Sequence, residues 1–209
     1  MSLLWNAPDD AAFDEQLPPN LLLKAGTHFT PLDVARRAAI LLAHPSNARV
    51  LDVGSGAGKF CIEAARVVPS AQFVGVELRP HLVRVATRLA AAANVTNARF
   101  IHGDALDLDW SEYDAFYFYN PFAEQIIEKP FTLDNTLALD PLNFHLYVNA
   151  VSERLAAARW GTRVVTYHGF GGPLPAGYEL TCTDRIGSDQ LELWIKRERA
   201  TPSGATASR

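Results

Sequence analysis

Residues 50–60 read V-L-D-V-G-S-G-A-G-K-F. An apolar, β-branched run stops at Gly54, Gly56 and Gly58, and a helix-type pattern begins at once with Lys59. No other stretch constrains the fold as much. Glycines at that spacing let the backbone take positive φ and let a ligand approach where a Cβ would block it. The free N–H groups of the following helix start face the same point. The segment therefore predicts a buried strand, a tight turn and a helix, the opening unit of a sheet with crossover helices.

The rest of the chain repeats that alternation. The strand over 48–53 is preceded by a helix over 31–43, for which Thr30 serves as N-cap and Pro31 as first residue. Helix 59–68, strand 71–78, helix 80–93, strand 98–102 and strand 113–120 follow. Asp140 and Pro141 open a long helix with Phe144, Val148, Val151 and Leu155 inward and Gly161 as its stop. A strand over 162–168 is next. The Gly- and Pro-rich loop 169–177 leads into two strands, 178–185 and 190–196, close enough together to form a hairpin. The expectation is a Rossmann-like three-layer αβα sandwich with a mixed seven-stranded sheet ending in an antiparallel hairpin. Residues 1–27 read as an irregular N-terminal segment and 28–197 as one domain. Residues 198–209 read as a basic flexible tail. Segment 123–139 is long for a connection, a length usual for working loops.

The chain has 209 residues, enough for one domain with a sizeable core. No apolar run reaches the length of a membrane span, and the start has no signal-peptide pattern. Cys61 and Cys182 stand far apart, which fits a reducing, cytoplasmic location rather than a disulfide scaffold. Net charge is −4, and residues 196–209 carry +3 of the balance, leaving −7 on the remainder. An acidic body disfavours nucleic acid as the main partner. No His or Cys pair has metal-ligand spacing, so no metal is expected.

Glu77 ends the second strand, 19 residues past Gly58, where a carboxylate can accept both hydroxyls of a ribose. A dinucleotide fingerprint fails, because Lys59 stands where its third glycine belongs. The pattern present is D-x-G-x-G-x-G from Asp52 to Gly58. With these residues in register, the chain resembles the class I S-adenosylmethionine-dependent methyltransferases over about residues 28–197. The resemblance implies that Asp52, Gly54, Ser55, Gly56 and Gly58 lie against the methionine part of S-adenosylmethionine. It puts Glu77 and Leu78 at the ribose, and Asp104 and Ala105 by the adenine. It puts Asn120, Pro121 and Phe122 beside the transferable methyl. The terminal hairpin is a further shared feature. Phe29-Thr30-Pro31 resembles a stretch near the cofactor in several amino-group methyltransferases, although a plain helix cap explains Thr30 too.

Asn120-Pro121-Phe122 is similar to the N-P-P-aromatic motif of amino-group methyltransferases, with one Pro missing. It is less similar to the N-N-F-A-F motif of the non-SET histone-lysine methyltransferases. An Asn carbonyl and a backbone carbonyl can hold an amine with its lone pair exposed, and an aromatic wall favours a cationic product. The expected activity is methyl transfer, with an amino nitrogen of a protein or small molecule as acceptor. Two alternatives stay open: a non-catalytic S-adenosylmethionine-binding module, and a nicotinamide-dependent oxidoreductase. His168, ending the fifth strand beside Tyr167, is a candidate for substrate contact. The acceptor itself and the oligomeric state are not legible.

Overall fold

A computed structural model describes residues 9–128 and 131–198. The sheet has seven strands in the order β3-β2-β1-β4-β5-β7-β6. These are β1 (Arg49–Val53), β2 (Gln72–Glu77), β3 (Ala98–His102), β4 (Ala115–Tyr119), β5 (Arg163–Tyr167), β6 (Tyr178–Ile186) and β7 (Asp189–Lys196). β1 to β5 are parallel. β7 runs antiparallel between β5 and β6. The chain order reverses between β1 and β4, so their carboxyl ends form the crevice where such sheets bind ligands.

The parallel strands β1, β2, β4 and β5 are buried on both faces, while β3, at the sheet edge, is half-exposed. In β4, Phe116 and Phe118 enter one core and Ala115 and Tyr117 the other. On one face lie α4 (Leu32–Leu42), α5 (Lys59–Val67) and α6 (Pro80–Ala92); on the other lies α7 (Pro141–Ala157). Val151 and Leu155 are the fully buried residues of α7, with Phe144 and Val148 half-buried beside them. The predicted order of elements holds, with most ends displaced by a residue or two; α7 ends at Ala157, with an extended Ala158 as its C-cap, rather than at the expected stop Gly161.

Two local expectations need correction. Thr30 does not cap α4. The helix begins at Leu32 after an extended Pro31, and the Leu32 N–H donates to Asp10 Oδ1 at 3.0 Å. The Thr30 hydroxyl sits instead 3.2 Å from that of Tyr117. Nor are residues 9–28 irregular. They form three short helices, α1 (Asp10–Asp14), α2 (Pro19–Leu22) and α3 (Ala25–His28). Phe13, Leu17, Leu21 and Ala25 pack with Ile62, Leu82 and Leu89 of α5 and α6. Lys59, buried at the start of α5, pairs with Asp10 and Asp14, both at 2.6 Å. Residues 1–8 and 199–209 lie outside the described residues, which removes most of the expected tail from view.

Candidate active site

A cleft opens at the carboxyl ends of β1, β2, β3 and β4. It gathers Gly54, Gly56, Glu77, Leu78, Asp104, Ala105, Asn120, Pro121 and Phe122 from four separate strand ends. Thr30, Asp52 and Ser55 line a smaller cavity next to it, which shares Gly54 and Tyr119 with the cleft. Gly58 lines neither.

The three loop glycines all have positive φ, yet they serve different neighbours. A Cβ on Gly54 would stand 2.9 Å from Cβ of Pro121, so this glycine lets the β4 exit lie on the loop. A Cβ on Gly56 would meet the Phe29 ring at 2.9 Å. On Gly58 it would strike Phe100 at 2.6 Å and Ala86 at 2.8 Å, which makes Gly58 a packing residue under the loop. Ser55 folds down onto Gly75, and its hydroxyl has no partner among the described residues.

Glu77 is buried where β2 meets the loop. Oε2 accepts from the Gly56 N–H at 3.1 Å and Oε1 from the Arg79 N–H at 2.9 Å. Burial raises its pKa, while those N–H groups and the Arg79 charge oppose the rise. An ionised carboxylate has about four acceptor positions, so two remain for a ligand's hydroxyls. Asp52 is also buried, with the Cys61 thiol donating to Oδ2 at 3.4 Å. Burial, with Glu77 adding to it, lifts Asp52 to about 7.

Asp104 accepts from the Leu106 N–H at 2.9 Å and from the Tyr147 hydroxyl at 2.6 Å. Tyr147 stacks on Phe122 with ring centres 5.0 Å apart. Burial and Asp104 push the Tyr147 phenol well up, so it is held as a donor. Asn120 has φ 44°, is exposed to the cleft, and its carboxamide makes no hydrogen bond among the described residues.

Sequence reasoning missed several wall residues. Arg79 is buried and pairs with Glu124 at 2.9 Å and Asp134 at 3.1 Å, pinning the segment after β4 across the cleft. Leu133, Leu137 and Leu139 from that segment complete the cover. His28 lines the cleft with Nε2 2.9 Å from the Phe131 carbonyl, and burial lowers its pKa. Tyr147 was discoverable, because it lies three residues after Phe144 on the inward stripe of α7. Arg79, Glu124 and Asp134 carried no local signal. Among the described residues no group of His, Cys, Asp and Glu could hold a metal.

A Gly-bounded loop, a buried carboxylate with acceptor positions to spare and an aromatic floor fit an adenosine-bearing ligand. The family model described as "Methyltransferase domain" matches residues 44–139, the part of the chain that builds this cleft. An RNA methyltransferase from Salinibacter ruber, in complex with S-adenosyl-L-homocysteine, superposes with a TM-score of 0.57 at 25% identity. That match covers 83% of this chain and 97% of the other. Residues 44–139 thus match a methyltransferase domain, and the fold around them is the Rossmann-like one of S-adenosylmethionine-dependent methyltransferases. Curated relatives match over shorter stretches. A tRNA (guanine-N(7)-)-methyltransferase of Shewanella piezotolerans is 39% identical over 59 residues, 28% of this chain and 25% of that protein. A demethylmenaquinone methyltransferase of Deinococcus radiodurans is 41% identical over 75 residues, 36% of this chain and 30% of that protein. The chain thus covers only a quarter to a third of the length of these relatives. The class uses S-adenosylmethionine, and the residues of the cleft fit it.

Proposed function

We propose that this chain transfers a methyl group from S-adenosylmethionine to an amino nitrogen. When bound, the cofactor supplies an electrophilic methyl on a sulfonium. Glu77 would hold the ribose and Asp104 the adenine side, with Gly54, Gly56, Asp52 and Ser55 around the methionine part. Leu78 and Ala105 would wall the nucleoside, and Thr30 would stand beside the smaller cavity. Gly58 supports the loop from beneath.

Asn120 carries the reading. Its backbone takes positive φ, which Asn accepts more readily than most L-residues and which turns the chain out of β4 into the cleft. Its carboxamide is left free at the mouth of the cleft. A carbonyl there can accept from an amine and turn the nitrogen lone pair toward the methyl. Pro121 fixes the turn, and Phe122 and Tyr119 line the cleft beside it. Aromatic faces stabilise a cationic nitrogen by about 0.5–2 kcal/mol.

Charge supports an amine over a polynucleotide. Between Phe100 and Glu153 the sequence holds ten Asp and Glu but a single basic residue, Lys129. A phosphate backbone requires the opposite balance. No helix among the described residues is long and apolar enough to cross a membrane, and both cysteines are free. Work in the cytoplasm accords with both.

The test is transfer of radiolabelled methyl to a panel of spermidine, phenethylamine, a lysine-containing basic peptide and unmodified tRNA. Label in an amine member is expected. Label confined to tRNA would overturn the amine reading. Cofactor binding by calorimetry with no transfer to any probe would favour a binding module.

A further inference from the structure

The cleft takes its walls from separate elements, and one side chain of α7 joins two of them. Tyr147 donates its hydroxyl to Asp104 Oδ2 at 2.6 Å. Its ring lies flat on that of Phe122, with centres 5.0 Å apart and planes 14° from parallel. Asp104 stands just past β3 and Phe122 just past β4, so Tyr147 ties one strand end to another. All three residues line the cleft.

The Asp104 end of this link is firmly set. The Leu106 N–H donates to Oδ1 at 2.9 Å and the Tyr147 hydroxyl holds Oδ2. An ionised carboxylate with four acceptor positions keeps about two of them for a ligand. The residues that follow are clamped too. Trp110 Nε1 donates to the Ala105 carbonyl at 2.8 Å, and Arg154 of α7 donates to the Leu106 carbonyl. The Phe122 end is held more lightly. No residue over 141–150, the half of α7 that carries Tyr147, is fully buried. Phe122 opens a turn whose amides bond within the turn itself. The Gln125 N–H donates to the Phe122 carbonyl at 3.1 Å, and those of Ile126 and Ile127 to the Ala123 carbonyl at 3.0 and 3.2 Å. The ribose side has a separate link, Arg79, 3.8 Å from Glu77 and paired with Glu124 and Asp134. Tyr167 and His168 serve the hairpin instead. The Tyr167 hydroxyl donates to the Ile186 carbonyl at 2.7 Å, and His168 Nδ1 lies 2.6 Å from Asp189 Oδ2. Neither residue lines the cleft or the smaller cavity, so the structure does not bring His168, the sequence candidate for substrate contact, to the site.

We propose that Tyr147 is a positioning residue that couples the nucleoside side of the cleft to the acceptor wall. The proposal rests on the cofactor placement given above and not on the amine reading. In an empty cleft the spare acceptor positions of Asp104 face water. A bound adenine donates from its exocyclic amino group to Asp104 and stops the carboxylate from turning. Tyr147 is then fixed through its hydroxyl, and Phe122 and the turn behind it are fixed through the stacked rings. The cofactor thus completes the wall against which the acceptor is received. Such a coupling is reciprocal, so an acceptor seated on Phe122 tightens the cofactor by the factor with which the cofactor tightens the acceptor.

Tyr147→Phe tests this, because it keeps a ring on Phe122 and removes only the hydroxyl. The probe is saturating S-adenosyl-L-homocysteine, read by amide hydrogen exchange in NMR. In the wild type it should slow exchange at Gln125, Ile126 and Ile127 by about ten-fold. In Tyr147→Phe that slowing should shrink to less than about two-fold. The Gly56 and Leu133 amides, bonded to Glu77 and Glu124, should be slowed alike in both proteins. In turnover the variant's KM for the fastest acceptor of the panel should rise about ten-fold, with kcat changed less than about three-fold. Equal slowing at residues 125–127 in the two proteins, or none in the wild type, would overturn the proposal. So would a variant with a lower thermal midpoint whose exchange quickens by one factor with and without ligand, which would make Tyr147 an anchor for α7 alone. A wild type that methylates no amine defeats the amine reading and leaves the exchange result to decide this one. A wild type that does not bind S-adenosyl-L-homocysteine defeats the cofactor placement, and this inference with it.

Discussion

In the proposed function Glu77 holds the cofactor and Asn120 orients the acceptor. Glu77 is buried and already fixed by two N–H donors, so it reaches the ligand without rearranging. Charge-assisted hydrogen bonds of this kind contribute about 1.5–3 kcal/mol. Glu77→Ala should weaken S-adenosylmethionine binding roughly ten- to a hundred-fold in calorimetry. Circular dichroism should show the fold intact, since Arg79 keeps Glu124 and Asp134 as partners. The Asn120 carboxamide makes no hydrogen bond among the described residues, so in the proposed function it acts on whatever enters. Asn120→Ala should lower methyl transfer on the order of 100-fold, with cofactor affinity down only a few-fold, because an orienting group acts mainly in the transition state. Both residues were readable from sequence, since each ends a strand whose position the Gly-loop register fixes. Thr30 was misread as a cap, because its tie to Tyr117 spans 87 residues and leaves no local trace.

Within the Gly-rich turn, three identical residues serve three different neighbours. Sequence spacing could not separate Gly58 from Gly56, because what distinguishes them is the far side of the fold: Phe100 and Ala86 against one, Phe29 against the other. Gly56→Val should abolish cofactor binding while the far-ultraviolet spectrum is retained. Gly58→Val should instead lower the thermal midpoint by several degrees or unfold the chain, since the ring and α6 would both have to move. The segment after β4 shows the same limit of legibility. Its length marked it as a working loop, but its attachment depends on Arg79, 45 residues from Glu124 and 55 from Asp134. Asp134 also meets His81 Nε2 at 3.1 Å, and Glu124 accepts from the Leu133 N–H at 2.5 Å. These contacts hold Leu133, Leu137 and Leu139 over the cleft. Arg79→Met should therefore speed S-adenosyl-L-homocysteine release in stopped-flow measurements by roughly ten-fold, and high salt should narrow the gap to the wild type. Release unchanged by the substitution would mean the cover stays in place without its ion pairs.

At the scale of the molecule, Asp52 links the cleft to stability. Its carboxyl titrates at about 7 in the folded chain because burial disfavours the charge, against about 3.9 when unfolded. Between those values the folded state keeps a proton that the unfolded state has lost. Stability from this group is full below about pH 4, falls as pH rises toward 7, and is flat above. Asp52→Asn should remove that fall. In urea titrations of the ligand-free protein the variant should gain about 2–4 kcal/mol on the wild type at pH 8 and little at pH 4. Parallel curves at the two pH values would mean that Asp52 is ionised in the fold. The sheet itself was legible in order and sense, because each strand pattern is followed by its own helix or turn. The docking of α1 to α3 was not, because helices of four or five residues interrupted by proline have no periodicity to detect. Strand order has one more consequence. β7 is the last strand to be synthesised, yet it is an interior strand, wedged between β5 and β6. While the ribosome is still making residues 189–196, β5 has an open edge and β6 has nothing to pair with. The nascent chain can set its Gly-loop and first four strands early, but it cannot close its sheet. Through that interval it presents the kind of unpaired edge on which chains join one another. Pauses in translation just before Asp189 would prolong that exposure.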